Sequence, residues 1–205
     1  MRLFVCLTAA ASALTLAACQ PADDAAGANA TPPSPEAPDS VTPASDALTS
    51  EGWRTLRVGM TRAEIEAAMG ADANPDAVGG PEPEACDFFR PSEAPEGLLV
   101  MLRDGTLSRI SVAEPATVRT ADGFGVGSSA AEIKAFYGDR AVVTPHVYQE
   151  APAEDIFVWD GARPAPNDYI TDDSRRGIRY EIGGDGAVMQ FHVGGPDIQL
   201  VEGCS

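Results

Sequence analysis

The sequence predicts an α+β fold of two tandem units, each a short helical element packed on a three- to four-stranded antiparallel sheet. Three observations carry the prediction. The phrase VGMTRAEIEAAMG at 58–70 returns as VGSSAAEIKAFYG at 126–138, shifted by 68 positions with no gap. Each copy is followed by an Asp-Gly pair between strand-like runs, Asp104-Gly105 in LLVMLRDGTLSRISVAEP and Asp185-Gly186 in GIRYEIGGDGAVMQFHVGGP. Asp-Gly is the strongest short hairpin signal. The landmarks Gly105/Gly186, Val112/Val193 and Pro115/Pro196 stand 81 positions apart, so the second unit carries 13 extra residues between its helix and its hairpin.

The elements follow in chain order. Residues 1–18 have one cation, Arg2, then an apolar stretch, then small residues. This is the layout of a secretory signal, shorter and richer in Ala, Ser and Thr than a membrane span is expected to be. Its end, Leu16-Ala17-Ala18-Cys19, resembles the lipobox of bacterial lipoproteins. The resemblance implies cleavage before Cys19 and acylation there, and multiple acyl chains anchor stably. Gln20 is not the Asp that retains such proteins in the inner membrane, so the resemblance implies the periplasmic face of the outer membrane. Residues 19–48 are rich in Pro, Ala, Ser, Thr and Asp with no aromatic side chain. Such a segment buries too little to offset its ordering entropy, and it is expected to be a disordered tether reaching about 30 Å as a coil.

The first unit is assigned to 49–120. Thr61 and Glu64 form a capping-box pattern, Gly70 a left-handed stop, and Met60, Ile65 and Met69 an apolar stripe. A helix this short needs a sheet beneath it. A strand is expected through 86–90, then the hairpin, then an extended ATVRT. The second unit, 121–205, repeats each device: Ser129 with Glu132, Gly138, and a stripe of Ile133 with Phe136 or Tyr137. A strand is expected through 155–159, and after Pro196 an extended DIQLVEG.

The phrase V-G-M-T, a charged helix closed by Gly and a DG hairpin together resemble the SmpA/OmlA family, small outer-membrane lipoproteins of the β-barrel assembly machinery. Two such units in tandem resemble the β-lactamase inhibitor protein family, whose paired repeats form a concave protein-gripping surface. The resemblance covers roughly 53–205, and it implies fold rather than a binding site.

The chain carries 14 Lys and Arg against 31 Asp and Glu, a net charge of −17. That balance argues against nucleic acid and anionic lipid headgroups as partners. Past Cys19 only Cys86 and Cys204 remain, 118 positions apart. In an oxidising compartment such a pair reads as a disulfide, the alternatives being two buried thiols or a redox site without a CxxC motif.

No catalytic set stands out. Gly127-Ser128-Ser129-Ala130-Ala131 nearly matches a nucleophile elbow but lacks the final Gly, and a helix cap explains Ser129. The run Gly123, Gly125, Gly127 has neither dinucleotide spacing nor a phosphate-loop lysine. His146 and His192 have no i,i+4 partner, so no metal site is expected. Asp168, Asp172 and Asp173 offer calcium ligands without EF-hand spacing. Trp159, Tyr169, Arg175 and Arg176 belong to the segment that carries the insertion, and they suit a partner-binding loop, Trp159 in the core being the alternative. Alternation along the strands places Arg179, Glu181, Val188, Gln190 and His192 on one face, with Leu107, Arg109 and Ser111 on its counterpart, expected to meet solvent.

The expectation is a non-enzymatic, lipid-anchored module with no cofactor that binds an envelope protein through Arg109, Trp159, Tyr169, Arg175, Arg176, Arg179 and His192. The alternative is a small-ligand, calcium or envelope-polysaccharide binder. The sequence sets no oligomeric state.

Overall fold

A computed structural model describes residues 46–76 and 79–204. The expected signal at 1–18, the acylated Cys19 and the tether as far as residue 45 lie outside the described residues. The tether was expected to run to Leu48, yet Leu48 is fully buried, and its backbone bonds to Arg119 and Ala121 at 2.9 Å each.

The fold is mostly β, which corrects the α+β expectation. The elements are β1 (Gly52–Trp53), β2 (Leu56–Arg57), α1 (Arg62–Met69), β3 (Cys86–Phe89), β4 (Leu98–Arg103), β5 (Thr106–Ala113), α2 (Ala130–Tyr137), β6 (Ala141–Pro145), β7 (Glu154–Trp159), β8 (Gly177–Ile182) and β9 (Val188–Gly194). Strands β1 and β2 pair by themselves. The other seven form one antiparallel sheet in the order β3-β4-β5-β9-β8-β7-β6. The two units therefore do not each keep a sheet of their own. The second hairpin strands, β5 and β9, would each expose a row of unpaired backbone groups, and they satisfy one another along Arg109↔Gly194 through Ala113↔Gln190. Against seven strands stand two helices of eight residues each.

The repeated phrase latches each helix to its own hairpin. Gly59 N–H donates to the Leu107 carbonyl and Leu107 N–H to the Met60 carbonyl, both at 2.7 Å. In the second copy Gly127 bonds Val188, and Val188 bonds Ser128, both at 2.9 Å. The phrase needs glycine because Gly59 and Gly127 sit at φ 94° and 81°, where a Cβ is strained. The Thr61 capping box forms with both bonds. The Ser129 box does not: Ser129 Oγ accepts from Ala131 N–H at 3.2 Å, and Glu132 returns no bond. Tyr137, not Phe136, completes the second stripe, since Phe136 is exposed.

Period-two alternation divides the sheet into two faces. On one, Phe89, Leu98, Val100, Ile110, Val112, Phe191, Val193, Tyr180, Ile178 and Ile156 form the core with Ile65, Met69, Ile133 and Tyr137 of the helices and Trp53 and Leu56 of the small ribbon. The other face carries Arg109, Ser111, His192, Arg179, Glu181, Asp155, Phe157 and Trp159. The expected strands ATVRT and DIQLVEG do not form. Thr120 makes only a bridge to Leu48, and Pro196–Gln199 is a 3-10 turn that opens a C-terminal tail lying across the polar face. The tail ends at Cys204, disulfide-bonded to Cys86 on edge strand β3. Strands β1, β2 and β6 were not foreseen. Among the described residues no helix is long and apolar enough to cross a membrane.

Candidate functional site

The polar face is the correction that matters most for function. Arg109, Arg179 and His192, expected on the surface, are 4%, 1% and 3% exposed. The tail lies over the two arginines, because both guanidiniums hold its carbonyls. Arg109 Nη1 donates to Asp197 and Leu200 at 3.3 and 2.9 Å, and Arg179 Nη1 to Ile198 and Leu200 at 3.4 Å each.

Underneath, charges pair across strands. Asp155 of β7 stands opposite Glu181 of β8, and Arg179 bridges both, with Nε 3.1 Å from Asp155 Oδ1 and Nη2 3.0 Å from Glu181 Oε1. Gln190 Nε2 donates to Glu181 Oε2 at 2.6 Å. His192 contacts Glu181 Oε1 through Nε2 at 2.9 Å and Ser111 Oγ through Nδ1 at 2.8 Å.

Burial drives His192 far down, to about 4, with Arg109 and Arg179 adding to the fall and Glu181 opposing it. The ring is therefore neutral near pH 7. Glu181 accepts only, so Nε2 carries the proton and Nδ1 accepts from the Ser111 hydroxyl. Burial pushes Glu181 up, but hydrogen bonds from His192 and Gln190 and the charge of Arg179 outweigh it and hold the carboxyl below its usual range. Burial lifts Asp155 above its usual range against the pull of Arg179. Arg109 falls to about 10, mainly by burial and then by Arg179.

Ser111, His192 and Glu181 thus reproduce the nucleophile, base and orienting acid of a triad, an arrangement that spacing alone did not reveal. They are 8%, 3% and 4% exposed. The adjoining cavity is lined by Asp155 and Arg179 and by none of these three, which tie β5, β8 and β9 together across the sheet.

His146, Asp155 and Glu181 are the one group of metal-ligating side chains close enough to share an ion among the described residues. The donor chemistry does not fit a metal. His146 Nδ1 accepts the backbone N–H groups of Tyr148 and Gln149 at 3.1 and 3.2 Å, which puts the proton on Nε2, the atom facing Glu181 at 3.9 Å. Arg179 already bridges the two carboxylates. Asp168, Asp172 and Asp173, which the sequence offered as calcium ligands with a solvated loop favoured over them, are not gathered into one group among the described residues. Asp168 accepts from Ala165 N–H and Asp172 from Ser174, each within its own turn.

Beyond the tail the face opens into a cavity of about 260 Å³ over β6, β7 and β8. Asp155 and Arg179 line it together with Val142, Phe157 and Trp159, and the inserted loop at 164–169 closes one side. Gln199 ties that loop to the tail, donating to the Ile170 carbonyl at 2.8 Å and accepting its N–H at 2.9 Å. Val147, Tyr169 and Val201 border the cavity, and all three belong to the short set of exposed large apolar side chains.

No family model, curated protein or solved structure matches the chain. Function has to be read from this geometry.

The structure thus sorts the sequence-derived candidates. Trp159, 4% exposed, and Tyr169, 61% exposed, meet at the cavity. Arg175 and Arg176 brace the loop: Arg175 donates to the Ala162 carbonyl at 2.7 Å and lies 5.9 Å from the Trp159 ring, while Arg176 holds the Asp173 carbonyl at 2.6 Å and pairs with Glu51. Asp155, Phe157 and Val142 were missed. The available signal was the alternation in EDIFVW, which sets Asp155, Phe157 and Trp159 on one face.

Proposed function

We propose that the chain is a binding module that holds a protein of the cell envelope at the cavity over β6–β8 and its rim. Acylated Cys19 would tether the module to the periplasmic face of the outer membrane. The observation that supports the reading is the cavity itself: three exposed apolar side chains, Val147, Tyr169 and Val201, border a small open hollow beside edge strand β6. Aromatic anchors beside a preformed pocket are what protein interfaces concentrate their energy on. The phrase and hairpin resemblance to the barrel-assembly lipoproteins makes components of that machinery the first partners to look for.

A photo-crosslinking residue at Tyr169, in the full chain in intact cells, tests the reading against one at Phe136, which is exposed on α2. One stoichiometric envelope protein captured from position 169 and not from 136 is the expected result. Equal, diffuse labelling from both positions would sink it.

The small volume, with Trp159 in its lining, also favours a second reading, a small envelope ligand or saccharide. A rise in melting temperature with one glycan, in the absence of any crosslinked partner, would select it.

A further inference from the structure

The cavity has a chemical bias, and the following inference rests on reading it as a binding site. Asp155 is 2% exposed and lines the cavity. Its Oδ1 is bonded to Arg179, but among the described residues Oδ2 has no hydrogen-bond partner. An unpaired carboxylate oxygen on a side chain that lines the cavity can accept from a donor group that enters it. Three aromatic rings, Phe157, Trp159 and Tyr169, line the same space. Arg179 and Arg175 already lie 5.6 and 5.9 Å from the first two, and among the described residues Tyr169 has no such cation, so its face is the one that can attract another.

Arg179 does not reverse the bias. Its charge is shared between Asp155 and Glu181, and its Nη1 is directed to the tail carbonyls. Asp168 adds a second carboxylate to the lining. The whole chain carries a net charge of −17, which draws cations and repels anions during approach. The volume, about 260 Å³, lies near the lower end for ligand pockets and suits one side-chain-sized group.

We propose that the cavity receives an organic cation on an apolar stem, the chemistry of a lysine or arginine side chain presented by the partner. The head meets Asp155 Oδ2, and the stem lies along the rings.

Three probes of equal length separate charge from apolarity: pentylammonium, 1-pentanol and pentanoate. Each is titrated into the full-length chain and followed by tryptophan fluorescence and by the amide shifts of residues 155–159 and 169. Pentylammonium is expected to bind at least about tenfold more tightly than pentanol, with pentanoate weakest. Equal binding of pentylammonium and pentanol, or a preference for pentanoate, overturns the proposal on the unaltered protein.

Asp155→Asn is expected to bring pentylammonium down to the pentanol level. Should that variant fail to fold, Tyr169→Ala removes an exposed ring and should weaken pentylammonium several-fold with an unchanged urea midpoint. Unchanged affinity in a folded variant refutes the role assigned to that residue. The two readings fail separately. Cation preference without a crosslink at 169 refutes the protein partner and keeps the cation site, whereas a crosslink without cation preference does the reverse.

Discussion

Replacing Arg179 with Met keeps an apolar stem of similar length and removes only the guanidinium. Asp155 and Glu181, adjacent in register and almost fully buried, then lose the cation that sits 3.1 and 3.0 Å from them. Breaking a buried ion pair from one side costs about 3–5 kcal/mol, because an uncompensated charge stays inside. With a urea slope of about 2 kcal/mol/M, the midpoint falls by about 2 M. The pH dependence also weakens. In the unaltered chain His192 and Glu181 have depressed values, so the unfolded state binds more protons in acid and stability falls as pH drops. In the variant Asp155 loses the pull of Arg179 and rises further, and Glu181 loses one of the interactions that lower it. The fall toward acid becomes shallower, while buried His192 keeps its direction. The triple variant Asp155→Asn, Arg179→Met, Glu181→Gln should recover most of the loss, since a neutral network of the same shape has no bare charge to bury. Urea denaturation at pH 7.5 and pH 5 reads all three. A loss below about 1 kcal/mol, or an unchanged pH slope, refutes the view that Arg179 is the electrostatic centre of this face.

Three further outcomes follow from the same contacts. Between the unfolded histidine value of 6.5 and the folded value of about 4, His192 should remove stability on the order of 3 kcal/mol as pH falls, partly offset by the raised Asp155; His192→Gln flattens that slope in pH-dependent urea melts. The double change Cys86→Ser, Cys204→Ser opens a cross-link between residues 118 apart and should cost up to about 4–5 kcal/mol by chain entropy. Amide exchange in that variant should rise first at 196–204. Thr61→Ala should lose about 1 kcal/mol through its cap, and Ser129→Ala less, because only one of the two reciprocal bonds exists at the second helix; thermal melts of the two variants rank them.

What the sequence disclosed was local. The Asp-Gly hairpins, the Thr61 box and the strands at 86–89 and 154–159 all depend on neighbours a few residues apart, and all formed. The α+β architecture failed at long range: repeat offsets identify equivalent strands, but nothing in them states that β5 and β9 pair with each other. The polar face failed for a related reason. A strand face bearing Arg179, Glu181 and His192 reads as solvent-facing when each residue is taken singly. It reads as buried only when Asp155, 24 positions earlier on the preceding strand, is set beside Arg179 and the tail, anchored at both ends, is laid over both.

The duplication explains why the sealed network and the open cavity share one face. At the central seam Ser111 pairs with His192, and those residues are 81 positions apart, the repeat offset itself. The antiparallel seam is thus centred on equivalent positions of the two units, as a twofold axis between identical halves requires. That one pair of equivalent positions holds Ser and His, which share the hydrogen bond at the centre of the network. From this centre the two halves are covered unequally. The tail leaves β9, crosses the seam under the grip of Arg109 and is fixed at β3 by Cys86, so the first unit's side is closed. The second unit's side is roofed by its 13 additional residues, which have no counterpart in the first. Where that loop and the tail meet, at Gln199 and Ile170, the covering stops short of β6, and Asp155 lies at the gap. The cavity is therefore a product of the asymmetry between the repeats, and shortening the 160–176 segment to the length of its counterpart should abolish binding there while leaving the seam, and its pH dependence, intact.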